Sequence, residues 1–294
     1  MTFEENIGDL CIINGETVPS ERLNLYTQDK YIAFYEVIRI INRVPLFYKD
    51  HFSRLKSSMN KSNYEFNMTE KELKDQIQKV SDLNKLTDCN IKVIILQYED
   101  EQIVLVFVNK FYYPTEKEYN DGVACCTVNL KRNNPNIKMI HMDYKEEIKR
   151  AAEEKNVFEV LLVNENGKIT EGGKSNAFFV KEDKIYTAPE EYILKGITRQ
   201  YVLEACRNKG YEVIETLVGT ESLTGFDAVF ITGTSLNVLP VKTIDNYEVN
   251  SARNITTQKV MKGYKDLVRK YLNDNWKSYI KKLEVYYEIS WKCI

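Results

Sequence analysis

The sequence predicts an α+β protein of two domains, on three observations. At 294 residues with 43% apolar content, the chain can bury two cores and fill them. Strand-forming runs alternate with segments of helical periodicity along its length. One polar stretch, YYPTEKEYNDG over Tyr112–Gly122, carries Pro, Gly and several charges and separates two halves of different texture. These place a small domain at 1–114, a connection at 115–122 and a larger domain at 123–294.

In the first half, FYEVIRII (Phe34–Ile41) reads as a strand and DHFSRLKSSM (Asp50–Met59) as a helix. Thr69 and Glu72 stand at capping-box spacing ahead of Leu73, Ile77 and Val80, which share one helical face. NIKVIILQY and QIVLVFV, joined through Glu99-Asp100-Glu101, form a hairpin. In the second half VACCTVNL is a strand and Asp143–Lys155 a helix. Two strand pairs follow: VFEVLLV with KIT across NENG, and NAFFV with KIYTA across KEDK. A helix over Thr198–Asn208 stops at Gly210. Strand DAVFIT and turn GTS precede a long helix carrying Val260, Tyr264, Leu267, Val268 and Tyr271 on one face. Trp276, Tyr279, Ile280 and Leu283 continue that spacing, which predicts a packed tail.

Charge argues against two classes of partner. The 41 basic and 43 acidic side chains nearly cancel, so nothing favours nucleic acid or a membrane surface. Six cysteines form no C-x-x-C pair, adjacent Cys125 and Cys126 should face opposite sides of a strand, and two histidines are too few for a Cys/His zinc site. Free thiols, no apolar run of spanning length and an acidic MTFEENIGDL start without a signal-peptide pattern point to the cytoplasm.

Several segments carry candidate chemistry. Glu171 sits in GKITEGGKSNAFFV (Gly167–Val180), a carboxylate in a glycine-rich turn ahead of an apolar strand. LKGITRQ (Leu194–Gln200) sets a glycine before a helix N-terminus, an arrangement that binds anions; taken alone, an ordinary loop with Thr198 as N-cap is the favoured reading. GTSLNVLPV (Gly233–Val241) places two hydroxyls in a tight turn, suited to phosphate or to nothing more than turning. Lys138 lies between strand and helix, a place where lysine is commonly a solvated charge, and Arg54 in HFSRL is compatible with an exposed helix face.

The order of these segments is the informative feature. YEVIRI, PLFYKDHFSRLKSS, IK before a helix, EVLLVNENGKITEGGKSNAFFV, YTAP, LKGITR and VFITGTSLNVLPV together resemble the class IV aminotransferases, the fold-type-IV pyridoxal-phosphate enzymes. The resemblance runs from about Tyr35 to Leu272. It implies a small N-terminal α/β domain and a larger C-terminal β-pseudobarrel domain with helices. It also implies pyridoxal 5'-phosphate as cofactor, amino acid and 2-oxo acid substrates, and a homodimer with shared active sites. By matching position, Lys138 is the Schiff-base lysine and Glu171 faces the cofactor's ring nitrogen. Arg54 grips the phosphate with the amides of Ile197 and Thr198, while Thr234 and Ser235 add hydroxyl and amide donors. A buried carboxylate at Glu171 then accounts for itself: it keeps the ring nitrogen protonated, and two pKa units of such stabilisation correspond to roughly 2.7 kcal/mol.

The sequence departs from the family pattern in three places. KYIAFYEV replaces a glycine-rich segment. VFVNKFYYPT lacks the Arg-x-His pair of D-specific members, leaving Lys110, Tyr112 or Tyr113 as substitutes. Asp143 stands where a tyrosine contacts the cofactor's phenolic oxygen, so Tyr144 or His141 is the substitute; Tyr35 is a substrate-side candidate. The implied reaction is transamination between a small amino acid, branched-chain ones among the options, and a 2-oxo acid. Two alternatives stand beside it: aminodeoxychorismate lysis to 4-aminobenzoate and pyruvate, and a non-catalytic cofactor-binding homodimer.

Overall fold

The computed structural model describes residues 3–27, 31–99 and 101–291, with side chains through residue 276. Two sheets organise it. The first is antiparallel throughout and contains β1 (Leu10–Ile13), β2 (Glu16–Pro19), β3 (Ile32–Ile41), β4 (Val44–Pro45), β5 (Cys89–Gln97) and β6 (Gln102–Asn109) in the order β2-β1-β6-β5-β3-β4. Helices α1 (Tyr48–Asn60) and α2 (Glu70–Leu83) cover one of its faces. The Thr69–Glu72 capping box forms as the spacing predicts, and Leu73, Ile77 and Val80 are buried. Alternation in β3 divides its side chains. Phe34, Ile38 and Ile40 join the core under the helices, while Tyr35, Val37 and Arg39 occupy the other face.

Within 115–122 the chain makes a short helix, α3 (Glu116–Asp121), closed by a Thr115–Glu118 capping box. The larger sheet follows with β7 (Val123–Asn129), β8 (Glu159–Val163), β9 (Lys168–Gly172), β10 (Asn176–Lys181), β11 (Lys184–Thr187), β12 (Glu212–Glu215), β13 (Val218–Gly219), β14 (Ala228–Gly233), β15 (Asn237–Ile244) and β16 (Tyr247–Glu248). Its order is β12-β11-β10-β14-β15-β7-β8-β9-β13, with β16 beside β15, and it curls into a half-barrel. Helix α4 (Met142–Lys155) follows β7, α5 (Ile197–Asn208) packs on the sheet, and α6 (Ile255–Trp291) ends the described chain. The fold is the α+β, fold-type-IV architecture that the motif order implies. Cys125 and Cys126 enter separate apolar clusters, as expected of neighbours on a strand, and the five described cysteines are free. Tyr279, Ile280 and Leu283 of the predicted packed tail lie outside the described side chains.

Aromatic contacts join the start of α1, on the first sheet, to α5 and α6 on the second half. Phe47 stacks on Tyr201 at 3.5 Å between centroids, Tyr201 donates to Asp50 at 2.7 Å, and the Tyr271 hydroxyl accepts from the Tyr48 amide at 3.1 Å. Such contacts tie the two halves of the chain together, and the candidate site lies at that junction.

Candidate active site

Lys138 reaches the junction because its segment is strapped to a sheet edge. The Tyr35 amide donates to the Lys138 carbonyl (3.2 Å) and the Ile140 amide to Ala33 (2.8 Å), so residues 138–140 run antiparallel beside β3. The Ser58 hydroxyl accepts from the Lys138 amide at 3.1 Å and ties the same segment to α1. The Lys138 ammonium lies 4.4 Å from the centre of the Tyr35 ring. Burial pushes this amine below the usual lysine range, against Tyr35, with Arg54 and Arg132 adding repulsion. Tyr35 responds in kind: the Lys138 charge lowers its phenol to about 8.

Glu171 is placed differently from its reading as a turn residue. It is the fourth residue of β9, and the turn begins beyond Gly172. Gly172 and Gly173 allow the close packing there: a Cβ on Gly172 would lie 2.0 Å from the Ser175 hydroxyl, and one on Gly173 would lie 2.7 Å from Ile148. Glu171 is 2% exposed, and both its oxygens are engaged. Oε1 accepts from Arg132 Nε at 2.7 Å and Oε2 from the Leu194 amide at 3.1 Å. Burial raises its carboxyl; Arg132 and the Leu194 amide oppose the rise.

Arg54 is fixed by a carboxylate that sequence reading missed. Glu36, 1% exposed, accepts from Arg54 Nε and Nη2, each at 2.7 Å, and is joined to His51 Nδ1 at 2.7 Å. Burial alone would raise the Glu36 carboxyl; the Arg54 charge and the hydrogen bonds overcome it and hold it at about 2. Arg54 Nη1 then donates to the Lys195 carbonyl at 2.9 Å, one residue before the N-cap of α5. That N-cap is Gly196, not Thr198, and no side chain caps the helix. Gly196 is required by space, since a Cβ would stand 2.1 Å from Asn176 Oδ1. Ile197 and Thr198, both buried, thus open a helix whose first turn is bare of side-chain acceptors and beside a guanidinium.

The remaining candidates separate. Ser235, half-buried in the turn with Thr234, accepts from Asn90 Nδ2 at 2.7 Å. Tyr113 donates to Asn90 Oδ1 at 3.0 Å, whereas Tyr112 is 53% exposed and bonds Glu118 on α3. Lys110 is exposed past the end of β6, with its amide on the Glu5 carbonyl; Asn90 rather than Lys110 reaches Ser235. At the start of α4, His141 and Asp143 are exposed, while Tyr144 turns its ring toward the Arg132 guanidinium at 4.8 Å.

Two observations test whether these residues suit a phosphorylated pyridine. The uncapped start of α5 beside Arg54 provides N–H donors and positive charge for a phosphate. The Tyr144 hydroxyl is buried without a partner among the described residues, as expected of a group reserved for a ligand oxygen. The residues fit. Arg132, Glu36 and His51 are the functional candidates not named from sequence. An arginine six residues before the lysine, and the strand glutamate directly after Tyr35, were the available signals.

Several known proteins resemble this chain. The family profile described as "Amino-transferase class IV" matches residues 33–244. D-alanine aminotransferase of Bacillus licheniformis is 30% identical over 255 residues, covering 82% of this chain and 90% of that protein. Aminodeoxychorismate lyase of Bacillus subtilis (strain 168) is 24% identical over 268 residues, covering 84% and 90%. Among solved structures, the branched-chain amino acid aminotransferase from Escherichia coli superposes with a TM-score of 0.77. It is 23% identical, with 89% of this chain and 95% of that chain covered, a likeness of fold.

Proposed function

The chain belongs to the class IV aminotransferases, a pyridoxal-phosphate-dependent family, and on that premise we propose that it transfers the amino group of a small amino acid to a 2-oxo acid. The observation that carries the reading is the meeting at one junction of an amine depressed by burial, Lys138, with a carboxylate held by its own arginine, Glu171. When bound, pyridoxal phosphate supplies an electron sink for the pair left when Cα loses its proton. Lys138 would hold the cofactor and then move the proton at Cα, and its lowered basicity leaves more free amine near neutral pH. Glu171 would hold the ring-nitrogen proton, with Arg132 maintaining its charge. Arg54, the Ile197 and Thr198 amides, and the Thr234–Ser235 turn would hold the phosphate. Tyr144 would meet a cofactor oxygen, and Tyr35 would border the substrate.

We further assign residues 1–114 and 123–294 to two domains joined by 115–122, which the two separate sheets support. The active unit in this reading is a cytoplasmic homodimer. Among the described residues no helix is long and apolar enough to cross a membrane, and no His/Cys/Asp/Glu group is arranged to hold a metal.

Aminodeoxychorismate lysis is the second reading, favoured by the relative from Bacillus subtilis and by a shared first step, proton removal at Cα. One screen separates the two. Cofactor-loaded protein is given each L- or D-amino acid, or aminodeoxychorismate, without a 2-oxo acid. A single turnover that releases an oxo acid and stops establishes transamination; repeated pyruvate release from aminodeoxychorismate establishes lysis. Failure of every compound overturns both.

A further inference from the structure

Arg54 belongs to the half of the chain built on the first sheet, whereas the Ile197 and Thr198 amides belong to α5 in the second half. A phosphate held by both needs the two helices in a fixed register. Glu36 and His51 fix Arg54 within its own half and leave α5 untouched. The direct bond from Arg54 Nη1 to the Lys195 carbonyl, at 2.9 Å, lies at the surface, where water competes for it.

A second contact, one helix turn away, sets that register. Tyr201 of α5 lies flat on Phe47, with 3.5 Å between ring centroids and 11° between planes, and its hydroxyl donates to Asp50 at 2.7 Å. Asp50, Arg54 and Ser58 follow at four-residue intervals along one side of α1, about 6 Å of axis apart. Ser58 in turn accepts from the Lys138 amide at 3.1 Å. Helix α1 thus works as a ruler: a tether at Asp50 sets where Arg54 stands against α5, and Ser58 carries the same reference to the lysine segment. Asp50 meets Tyr201 and Arg54 meets Lys195, so the helices run in opposite senses here and an axial slip of either parts both contacts. The Phe47 backbone marks the same place. Its φ of 51° is left-handed, a conformation that a bulky residue adopts at a cost, and the side chain is 2% exposed. Such a residue persists where its surroundings over-determine it, and here they include the rings of Tyr201 and Tyr271.

We propose that Tyr201 is a positioning residue for the phosphate end of the cofactor, acting through Phe47 and Asp50 on the placement of Arg54 opposite the first turn of α5. The inference rests on the reading of Arg54 and the start of α5 as the groups that hold the phosphate. A tether of this kind acts on affinity for the phosphate, because a displacement of about 1 Å is enough to spoil a charge-assisted contact.

The test uses the full-length protein, stripped of cofactor and titrated with pyridoxal phosphate and, separately, with pyridoxal, which lacks the phosphate. Tyr201→Ala should weaken binding of pyridoxal phosphate about 10- to 100-fold and that of pyridoxal less than about threefold. Tyr201→Phe keeps the ring and loses the hydroxyl, so its loss should fall between wild type and Tyr201→Ala. An equal loss for both compounds would make Tyr201 a residue of general stability, and no loss for either would make the stack plain core packing; either overturns the assignment. The route through Arg54 is checked by a double-mutant cycle. In an Arg54→Gln background, Tyr201→Phe should change pyridoxal phosphate affinity less than about twofold, and a fully additive loss refutes the coupling. Should Tyr201→Ala fail to fold, Tyr201→Phe and the cycle decide. Wild-type protein that binds pyridoxal phosphate no more tightly than pyridoxal would overturn the phosphate reading itself, an outcome distinct from failure of the Tyr201 variants alone.

Discussion

Replacing Glu36 by glutamine removes the anion that holds Arg54 and leaves the shape of the side chain intact. The magnitude follows from the carboxyl itself. Glu36 is held at about 2 in the folded protein against 4.5 when free, and it is 1% exposed, so solvent screening does not discount the difference. A gap of about 2.5 at 1.36 kcal/mol per unit gives roughly 3 kcal/mol of stability at neutral pH. The sign is that of a depressed acid: the contribution is complete above about 4.5 and lost as pH falls toward 2. Urea unfolding of wild type and Glu36→Gln at pH 7 should therefore differ by about 3 kcal/mol, narrowing to about 2 kcal/mol at pH 3.5. Cofactor affinity should fall in the same variant, since Arg54 keeps at most one of the two hydrogen bonds that aim it at the start of α5, and loses the charge behind it. A stability difference that does not change between pH 7 and pH 3.5 would refute the ion-pair account, and unchanged cofactor affinity would refute the positioning role.

Three further variants probe the rest of the site. Lys138→Ala should abolish the visible absorbance of the lysine-linked cofactor; a retained band removes Lys138 from its role. Arg54→Ala should weaken cofactor binding about 10- to 100-fold in equilibrium dialysis, the scale of a charge-assisted contact, with a smaller change in turnover once saturated. Arg132→Met deletes the charge that opposes burial at Glu171, so the carboxyl rises further. The acid side of the kcat profile should move to higher pH, and an unshifted profile would show that Arg132 does not govern Glu171.

Local chemistry made much of this protein legible in one dimension. Alternation in FYEVIRII, the hairpin strands and the Thr69–Glu72 box depend on neighbours within a few residues, and all form as read. The same box at Thr115–Glu118 was equally visible but lay inside a segment whose proline and glycine suggested only a connection. Glu171 was conspicuous because a carboxylate among glycines has no simple turn role; its placement in a strand depended on pairing with β8, which a turn-rich composition conceals.

What the sequence determined was thus the family and the order of the segments that surround Lys138, the lysine proposed to react, since these are matters of residue type and order. Tertiary structure alone decided which charges meet. Glu36 and Arg54 are separated by a strand, a turn and a helix turn, and Arg132 and Glu171 by 39 positions; each pair becomes a contact of 2.7 Å only when α1 packs on the first sheet and the segment after β7 folds against β9. Arg39 shows the converse, a charge with no carboxylate partner among the described residues. Whether a buried ion finds its partner is fixed by packing at long range, because the cost of burial depends on every group that displaces water from it.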